Sequence, residues 1–353
     1  MAIDDETLRL AGAAELLIGH EVDQATRDIV RAWARAWREI EDAWRDAIGD
    51  LIAASDDGQW PSPWVVQRAE RARDALDAAT TAVFDLTRLS GVRIMDGTGR
   101  IVNLTAEQGL DDVLVSQLPK DPTVRASVGL RFNRLDTGAV DRIVARTAGQ
   151  VESALNPLSR EAGEAMRRVL VRGVTMGDNP RAAAREMLRR VEGAFNGGLT
   201  RAMTIARTEM LDAHREATRR TRVANADVVR GWVWISALDT RTCPSCIAMH
   251  GTEHDIDETG PDDHQQGRCS SIPLLKSWRD LGIDLDEPQS TVPDAREWFD
   301  GLPRTDQVKI MGPSRLAALD DGRVTFADMA TRRSTVGWRD SWSPTPVRDL
   351  PAA

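Results

Sequence analysis

The sequence predicts a mainly α-helical protein of the α+β class, in which long amphipathic helices precede a small β-containing Cys/His module and a tail of short helices. Apolar residues recur at helical spacing over residues 7–55 and again over residues 139–225. A β-branched and aromatic run, VVRGWVWISALD at residues 228–239, is typical of a strand. All three cysteines then fall within residues 243–269, which makes this stretch the candidate site.

The bulk composition allows two or three domains with a sizeable buried core, because the chain has 353 residues and 41% of them are hydrophobic. The net charge of −9 argues against nucleic-acid binding as the main activity, since such proteins are usually basic. Three cysteines cannot all pair, so a secreted disulfide scaffold is not expected. The acidic N-terminal residues and the lack of a long apolar run predict a soluble protein without a signal peptide or membrane contact, made in a reducing cytosol.

The N-terminal region, residues 1–90, is predicted to be helical. Its first helix covers residues 7–55 and carries a Trp-rich apolar stripe. Two interpretations of this stripe are open: it faces the core of a helical bundle, which we favour, or it docks on a partner protein. A break rich in Gly and Pro at residues 55–64 precedes a second helix, which has Pro63 at its first position and runs to about Arg88.

Residues 91–136 are predicted to form a connector of hairpin and loop. The stretch VRIMDGTGRIVNL alternates in polarity around Asp96-Gly97, which predicts a short β-hairpin. The rest of the connector mixes helical and loop signals.

Residues 137–275 are predicted to form one domain that begins with helices and ends with the Cys/His module at residues 228–275. The helical segments are AVDRIVARTAGQVESAL, REAGEAMRRVLVRGV, PRAAAREMLRRVEGAF and LTRAMTIARTEMLDAHREATRRTRVAN. In the last of these, Arg207 and Glu209 flank a narrow apolar stripe on opposite sides. Within the module, GTEHDID is a candidate partner strand for residues 228–239, and ETGPDDHQQG is predicted to be a loop.

Residues 276–353 are predicted to form a tail of three short helices and a Pro-rich end. The helices are expected in REWFDGLP, TDQVKIMG and TFADMATRR, and the end, SWSPTPVRDLPAA, is expected to be extended.

The cysteine window has the composition of a structural zinc site. Cys243 and Cys246 form a C-x-x-C pair whose thiolates can bind one tetrahedral ion. His264 and Cys269 complete a Cys3His set, in which soft sulfur and imidazole favour zinc over magnesium or calcium. Since all four ligands come from the protein, such an ion has no open position and would be structural.

Other interpretations of the same window remain open. His250 or His254 could be the fourth ligand, and the cysteines could instead be free thiols in a reduced core. A redox disulfide between Cys243 and Cys246 is less favoured, because no clear helix start follows the pair.

Two enzymatic interpretations use neighbouring residues. A zinc deaminase needs an H-x-E motif, which His214-Arg215-Glu216 provides, but side chains two residues apart in a helix point ~200° apart and cannot share one zinc-bound water. A nuclease of the His-Asn-His type could use Asp263-His264, but no histidine follows His264. We therefore predict a protein that is not an enzyme, and keep a zinc-dependent nucleic-acid-modifying enzyme as the alternative.

Residues 140–275 resemble the phage head morphogenesis family typified by protein F of phage Mu. The resemblance is carried by ARTEMLDAHREA, WVWISALDTRTCPSCIAMHG and PDDHQQGRC. One departure is Gly267, which stands where the family motif has a cysteine. The residues that match the motif are Arg207, Thr208, Glu209, Trp234, Asp239, Arg241, Thr242, Cys243, Cys246, Gly251, Pro261, His264, Arg268 and Cys269.

The resemblance implies a minor head protein that acts in head morphogenesis. Such a protein would assemble in the host cytoplasm and enter the virion in the capsid interior, at the portal vertex. Its implied partners are the portal protein and the major capsid or scaffold protein, and contact with packaged DNA during packaging or ejection is left open. The zinc would be structural, Arg207 and Glu209 would form ion pairs that orient their helix against the strand, and residues 1–90 would be candidates for docking on the portal or scaffold.

Overall fold

The computed structural model describes residues 3–54, 69–108, 111–124, 132–175, 180–335 and 338–350. These residues form long helices, then a small antiparallel sheet around the cysteine window, then short helices and a hairpin, which confirms the predicted fold class. The helices before the sheet are α1 (Asp5–Ala53), α2 (Glu70–Gln108), α3 (Asp111–Ser116), α4 (Thr137–Leu155), α5 (Leu158–Thr175) and α6 (Pro180–Ala224).

The described residues after α6 form five strands and four short α-helices. In chain order these are β1 (Val229–Ile235), α7 (Pro244–Met249), β2 (Glu253–Asp255), β3 (Ser270–Leu275), α8 (Ala295–Asp300), α9 (Arg304–Met311), α10 (Pro313–Asp320), β4 (Ala330–Thr335) and β5 (Trp338–Pro344).

The chain divides into two compact units. We call the first the module unit, which consists of Met1–His20, Thr98–Ala145 and Leu211–Ala353. The second is the helical unit, which consists of Glu21–Gly97 and Arg146–Met210.

The helical unit is built around the tryptophans of α1. Trp33, Trp37 and Trp44 are 0%, 7% and 0% exposed, and the ring of Trp33 lies edge-on to Phe195 of α6 with their centroids 5.0 Å apart. A Cβ added to Gly198 would come within 2.6 Å of Cη2 of Trp33, so the glycine permits this close approach. The core-facing interpretation of the Trp-rich stripe is therefore confirmed for these three side chains.

The predicted hairpin around Asp96-Gly97 is wrong, because this stretch lies inside α2. Ser90, Ile94, Ile101 and Thr105 are at most 3% exposed, and their spacing is that of one helical face. Gly97 lies on the same face, and a Cβ there would overlap the side chain of Met210. Gly97 therefore allows α2 to pack closely against Met210 and does not form a turn.

Two further boundaries differ from the predictions. The last two helices predicted before the strand are one helix, α6, which continues through Gly197 and Gly198. The break at residues 55–64, the cap at Pro63 and the start of the second helix lie outside the described residues.

The sheet of the module unit has the order β2-β1-β3, with β1 antiparallel to both neighbours. The predicted strand and its pairing with GTEHDID are confirmed, since Trp232 of β1 faces His254 of β2. Trp232 and Trp234 are 0% and 1% exposed and pack against Cys246 and Cys269. The tryptophans of β1 therefore form the apolar surface against which the cysteines pack.

The tail contains a hairpin that the sequence did not predict. The first two short helices are confirmed as α8 and α9, but TFADMATRR contains only a 3-10 turn at Ala327–Met329 before it enters β4. Strand β5 pairs antiparallel with β4 and contains the first four residues of the Pro-rich end, 341–344. The backbone N–H of Trp342 in β5 donates to the carbonyl of Asp262 at 2.8 Å, so the hairpin supports the loop that carries His264.

Candidate metal centre

The C-x-x-C pair lies at the start of a short helix. Cys243 precedes α7, Pro244 is its first residue, and Cys246 lies one turn further on. The prediction that no helix starts after this pair is therefore wrong. The two sulfurs are 3.2 Å apart, well beyond the disulfide bond length of about 2.05 Å, and both thiols are free.

His264 joins this pair from the loop between β2 and β3. Its Nε2 lies 3.2 Å from Sγ of Cys243 and 3.7 Å from Sγ of Cys246. Its Nδ1 lies 2.9 Å from the carbonyl oxygen of Gln265, which can only accept a hydrogen bond. Nδ1 therefore carries a proton, and Nε2 is the ring nitrogen that faces the two sulfurs. Histidines that ligate metals have this orientation and lose the Nε2 proton when the metal binds.

Cys269, the fourth predicted ligand, lies directly before β3 and is 5% exposed. Its sulfur groups with Cys246 and Asp263, whereas Cys243, Cys246 and His264 form a separate group of donors. Its sulfur also lies 3.4 Å from Oγ of Ser236. The structure thus brings three of the four predicted ligands together around one point and places Cys269 beside Cys246.

The thiols of Cys243 and Cys246 and the imidazole of His264 shift one another's pKa values. The hydrogen bond with Cys246 is the largest effect on Cys243, and together with His264 it outweighs burial and lowers the pKa of Cys243 to about 4. The hydrogen bonds with Cys243 and Cys269, together with burial, raise the pKa of Cys246. Burial lowers the pKa of His264, but Cys243 and Asp263 outweigh it and raise this pKa to about 10. In the metal-free protein Cys243 is therefore a thiolate at neutral pH.

Arg215 of α6 binds the loop that carries His264 and Cys269, a role that its sequence position does not indicate. It is 6% exposed, and its Nη2 donates to the carbonyl oxygens of Gly267 at 2.8 Å and of Cys269 at 2.9 Å. The same nitrogen lies 3.5 Å from Oδ2 of Asp263. Only the tertiary fold reveals this role. In the sequence, Arg215 is the middle residue of the H-x-E motif formed with His214 and Glu216.

An ion pair between Asp239 and Arg268 joins the segment before Cys243 to the segment before Cys269. Both carboxylate oxygens of Asp239 accept from Arg268, at 2.7 and 2.9 Å, and the backbone N–H of Asp239 donates to Oγ1 of Thr242. Arg268, opposed by burial and helped by the backbone of Arg241, lowers the pKa of Asp239. Four of the motif residues are therefore joined in one network beside the centre.

The remaining motif residues of the module shape the backbone. Gly251 has a φ of +80°, a left-handed conformation that glycine adopts without strain, and its N–H donates to the carbonyl of Trp234 at 2.8 Å. Pro261 follows a cis peptide bond and is buried.

Arg207, Thr208 and Glu209 belong to the helical unit. Arg207 donates to Asp23 of α1 at 2.7 Å, so its ion pair is with a helix and not with the strand as expected. Thr208 and Glu209 are 5% and 4% exposed, which makes both of them interior residues of α6.

The residues of the deaminase interpretation belong to separate networks. His214 lies 2.9 Å from Oγ1 of Thr105 and 3.1 Å from Glu15, whereas Glu216 accepts from Arg219 and Arg220. The cavity between Cys243, Cys246, His264 and Cys269 measures about 60 Å³. Pockets that take small molecules measure about 300–1,000 Å³, so this one has room for an ion but not for a nucleobase.

Comparison with known families gives one match. A family model described as "Phage Mu protein F like protein" matches residues 164–272, a range that includes β1, the C-x-x-C pair, His264 and Cys269. The resemblance predicted from the sequence is thereby confirmed over these residues. No curated protein and no solved structure matches the chain. Within the described ranges, no helix is long and apolar enough to cross a membrane.

Proposed function

From the match of residues 164–272 to the phage Mu protein F-like family, we propose that this chain is a minor head protein that acts in phage head morphogenesis. The match is the observation that carries the proposal, because it covers the motif residues and the whole Cys/His centre. The protein would assemble in the host cytoplasm and remain in the capsid interior at the portal vertex. Its partners would be the portal protein and the major capsid or scaffold protein.

The proposed role of the Cys/His centre is to bind a structural zinc ion. The donor set fits such an ion, since Cys243, Cys246 and His264 offer two sulfurs and one nitrogen within 4.8 Å of one another. Bound zinc would supply a cross-link between α7 and the loop before β3. The residues themselves contribute a preformed thiolate at Cys243 and an imidazole fixed by Gln265.

A non-enzymatic role is part of the proposal. The cavity of about 60 Å³ supports it, as does the separation of His214 and Glu216 into different hydrogen-bond networks. The net charge of −9 favours protein partners over DNA, although it leaves local contacts with packaged DNA open.

The N-terminal region remains the proposed contact with the portal or scaffold, but its buried tryptophans are not available for it. Leu16 and Leu17 are the better candidates, since they are 77% and 54% exposed on α1. Apolar side chains exposed side by side are typical of interaction surfaces.

Complementation tests this proposal. A phage that lacks the gene should make defective heads, and the wild-type chain should restore infectious particles. The Glu216→Ala variant should restore them equally well, since no chemistry depends on that carboxylate. Full heads without the gene, or failure of Glu216→Ala in a stably folded chain, would contradict the proposal and favour the enzyme alternative.

A further inference from the structure

The carboxylate of Asp263 is buried inside the donor cluster. Its side chain is 1% exposed, and its Oδ1 lies 3.7 Å from Sγ of Cys246 and 3.6 Å from Nε2 of His264. A Cβ added to Gly267 would overlap this carboxylate. The absence of a side chain at Gly267 therefore makes room for the Asp263 carboxylate. A carboxylate buried so deeply needs hydrogen-bonding or charged partners around it.

The distances around the cluster are those of a four-ligand site that includes Asp263. In a tetrahedral zinc site with bonds of about 2.0–2.3 Å, neighbouring ligand atoms lie about 3.3–3.8 Å apart. Cys243 lies 3.2 Å from both Cys246 and His264, and Cys246 lies 3.7 Å from His264. With the two distances from Oδ1 of Asp263, five of the six edges of such a tetrahedron are short enough to share one ion. The sixth edge joins Cys243 and Asp263, which fall in different donor groups, so a bound ion would draw these two side chains closer together.

We propose that Asp263 is the fourth zinc ligand, through Oδ1, and that Cys269 remains outside the coordination sphere. This inference rests on the proposed zinc centre and changes its ligand set from Cys3His to Cys2HisAsp. The chemistry is that of a hard oxygen ligand beside two thiolates, which zinc accepts in proteins.

The second carboxylate oxygen has the contacts expected of a positioned ligand. Oδ2 of Asp263 accepts from the backbone N–H of Cys269 at 3.0 Å and lies near the guanidinium of Arg215. These contacts orient the carboxylate so that Oδ1 faces Cys246 and His264. Two thiolates and a carboxylate around Zn²⁺ carry a net charge of −1, and the buried Arg215 offsets it.

Cys269 has a different environment. Its sulfur lies 3.4 Å from Oγ of Ser236, and it shares one donor group with Cys246 and Asp263. Asp263 differs from it by the 3.6 Å approach of its Oδ1 to Nε2 of His264. The Cys269 side chain packs against Trp232 and Trp234, a contact that an apolar side chain makes without a metal bond.

The test uses the full chain loaded with Co²⁺ or Zn²⁺, and compares Asp263→Ala with Cys269→Ser. The sulfur-to-cobalt absorption grows with the number of thiolate ligands, so Cys269→Ser should leave it and the zinc affinity unchanged. Asp263→Ala should weaken zinc binding by about 10–100-fold or more. Asp262→Asn is the matched control, because Asp262 pairs with Arg332 outside the cluster and should bind zinc like the wild type.

The outcomes separate this inference from the zinc centre itself. Loss of cobalt absorption in Cys269→Ser, with normal affinity in Asp263→Ala, would overturn the ligand assignment but keep the centre. A wild-type chain that binds neither metal would overturn both. If Asp263→Ala does not fold, the Asp263→Cys variant is measured in its place. A cysteine at this position adds a thiolate ligand, so the sulfur-to-cobalt absorption should be stronger than in wild type. An unchanged absorption would contradict the proposal.

Discussion

The guanidinium of Arg215 donates a hydrogen bond of 2.9 Å to the backbone carbonyl of Cys269. This contact joins the long helix α6 to the residue that enters β3, and a second one joins it to Gly267. The loop of the Cys/His centre is therefore fixed from the helix side as well as by its own side chains.

Replacement of Arg215 by Gln should destabilise the protein by about 3 kcal/mol. The change removes the donor of two buried carbonyl groups and the positive charge beside the carboxylate of Asp263. Urea unfolding at pH 7 measures the loss. Arg220→Gln is the control, because the side chain of Arg220 is 34% exposed and should matter by less than about 1 kcal/mol. Equal effects of the two changes would show that the buried contacts of Arg215 add nothing.

The two adjacent glycines of α6 should respond in opposite directions to alanine. Gly198→Ala places a Cβ within 2.6 Å of the Trp33 ring and should cost about 1–3 kcal/mol. Gly197 has no described atom within 4 Å of its added Cβ, so Gly197→Ala should stabilise the helix by about 0.5–1 kcal/mol. Thermal unfolding of both variants measures the two signs, and a stabilised Gly198→Ala would contradict the packing of Trp33.

The pair between Asp239 and Arg268 should contribute to acid sensitivity. Because the folded state lowers the pKa of Asp239, its stabilisation is present above the unfolded pKa of about 3.9 and is lost as the pH falls through the folded pKa. Wild type should therefore lose more melting temperature between pH 5 and pH 3 than Arg268→Gln does. Arg241→Gln, whose side chain is 73% exposed, should behave like wild type. If the melting temperatures of wild type and Arg268→Gln fall equally between pH 5 and pH 3, this ion pair does not contribute to the acid sensitivity.

Cys243 should be the most reactive thiol of the metal-free protein. With its pKa lowered to about 4, it is a thiolate throughout pH 6–8, so its alkylation by iodoacetamide should vary little over that range. Cys246 and Cys269, which are 6% and 5% exposed, serve as internal controls and should react slowly. Peptide mapping after timed alkylation gives the three rates. A rate for Cys243 that rises about tenfold per pH unit, as for an ordinary thiol, would contradict the thiolate.

The sequence predicted the elements whose signals are local. The β-branched run at 228–239 became β1, and the C-x-x-C pair and His264 came together as the spacing indicated. The errors involve glycine and tertiary contacts. Gly97 was interpreted as a turn residue, although in α2 it makes room for Met210.

The parts of the site that could not be predicted depend on contacts between distant residues. Nothing local indicates that Arg215 reaches the loop 52 residues later, or that Trp342 supports it. Gly267 departs from the family motif, and in the structure the carboxylate of Asp263 occupies the space that a Cβ at this position would need. The four-part domain division remains a prediction.

Quantitative mass spectrometry of purified virions, from the phage or prophage that encodes this chain, measures whether the chain is part of the finished head. We expect its peptides in the particle at a few copies, comparable to the portal protein and far below the major capsid protein. If the chain is present in infected cells but absent from finished virions, it is not a resident minor head protein. A transient assembly factor or an enzyme would then be the better description.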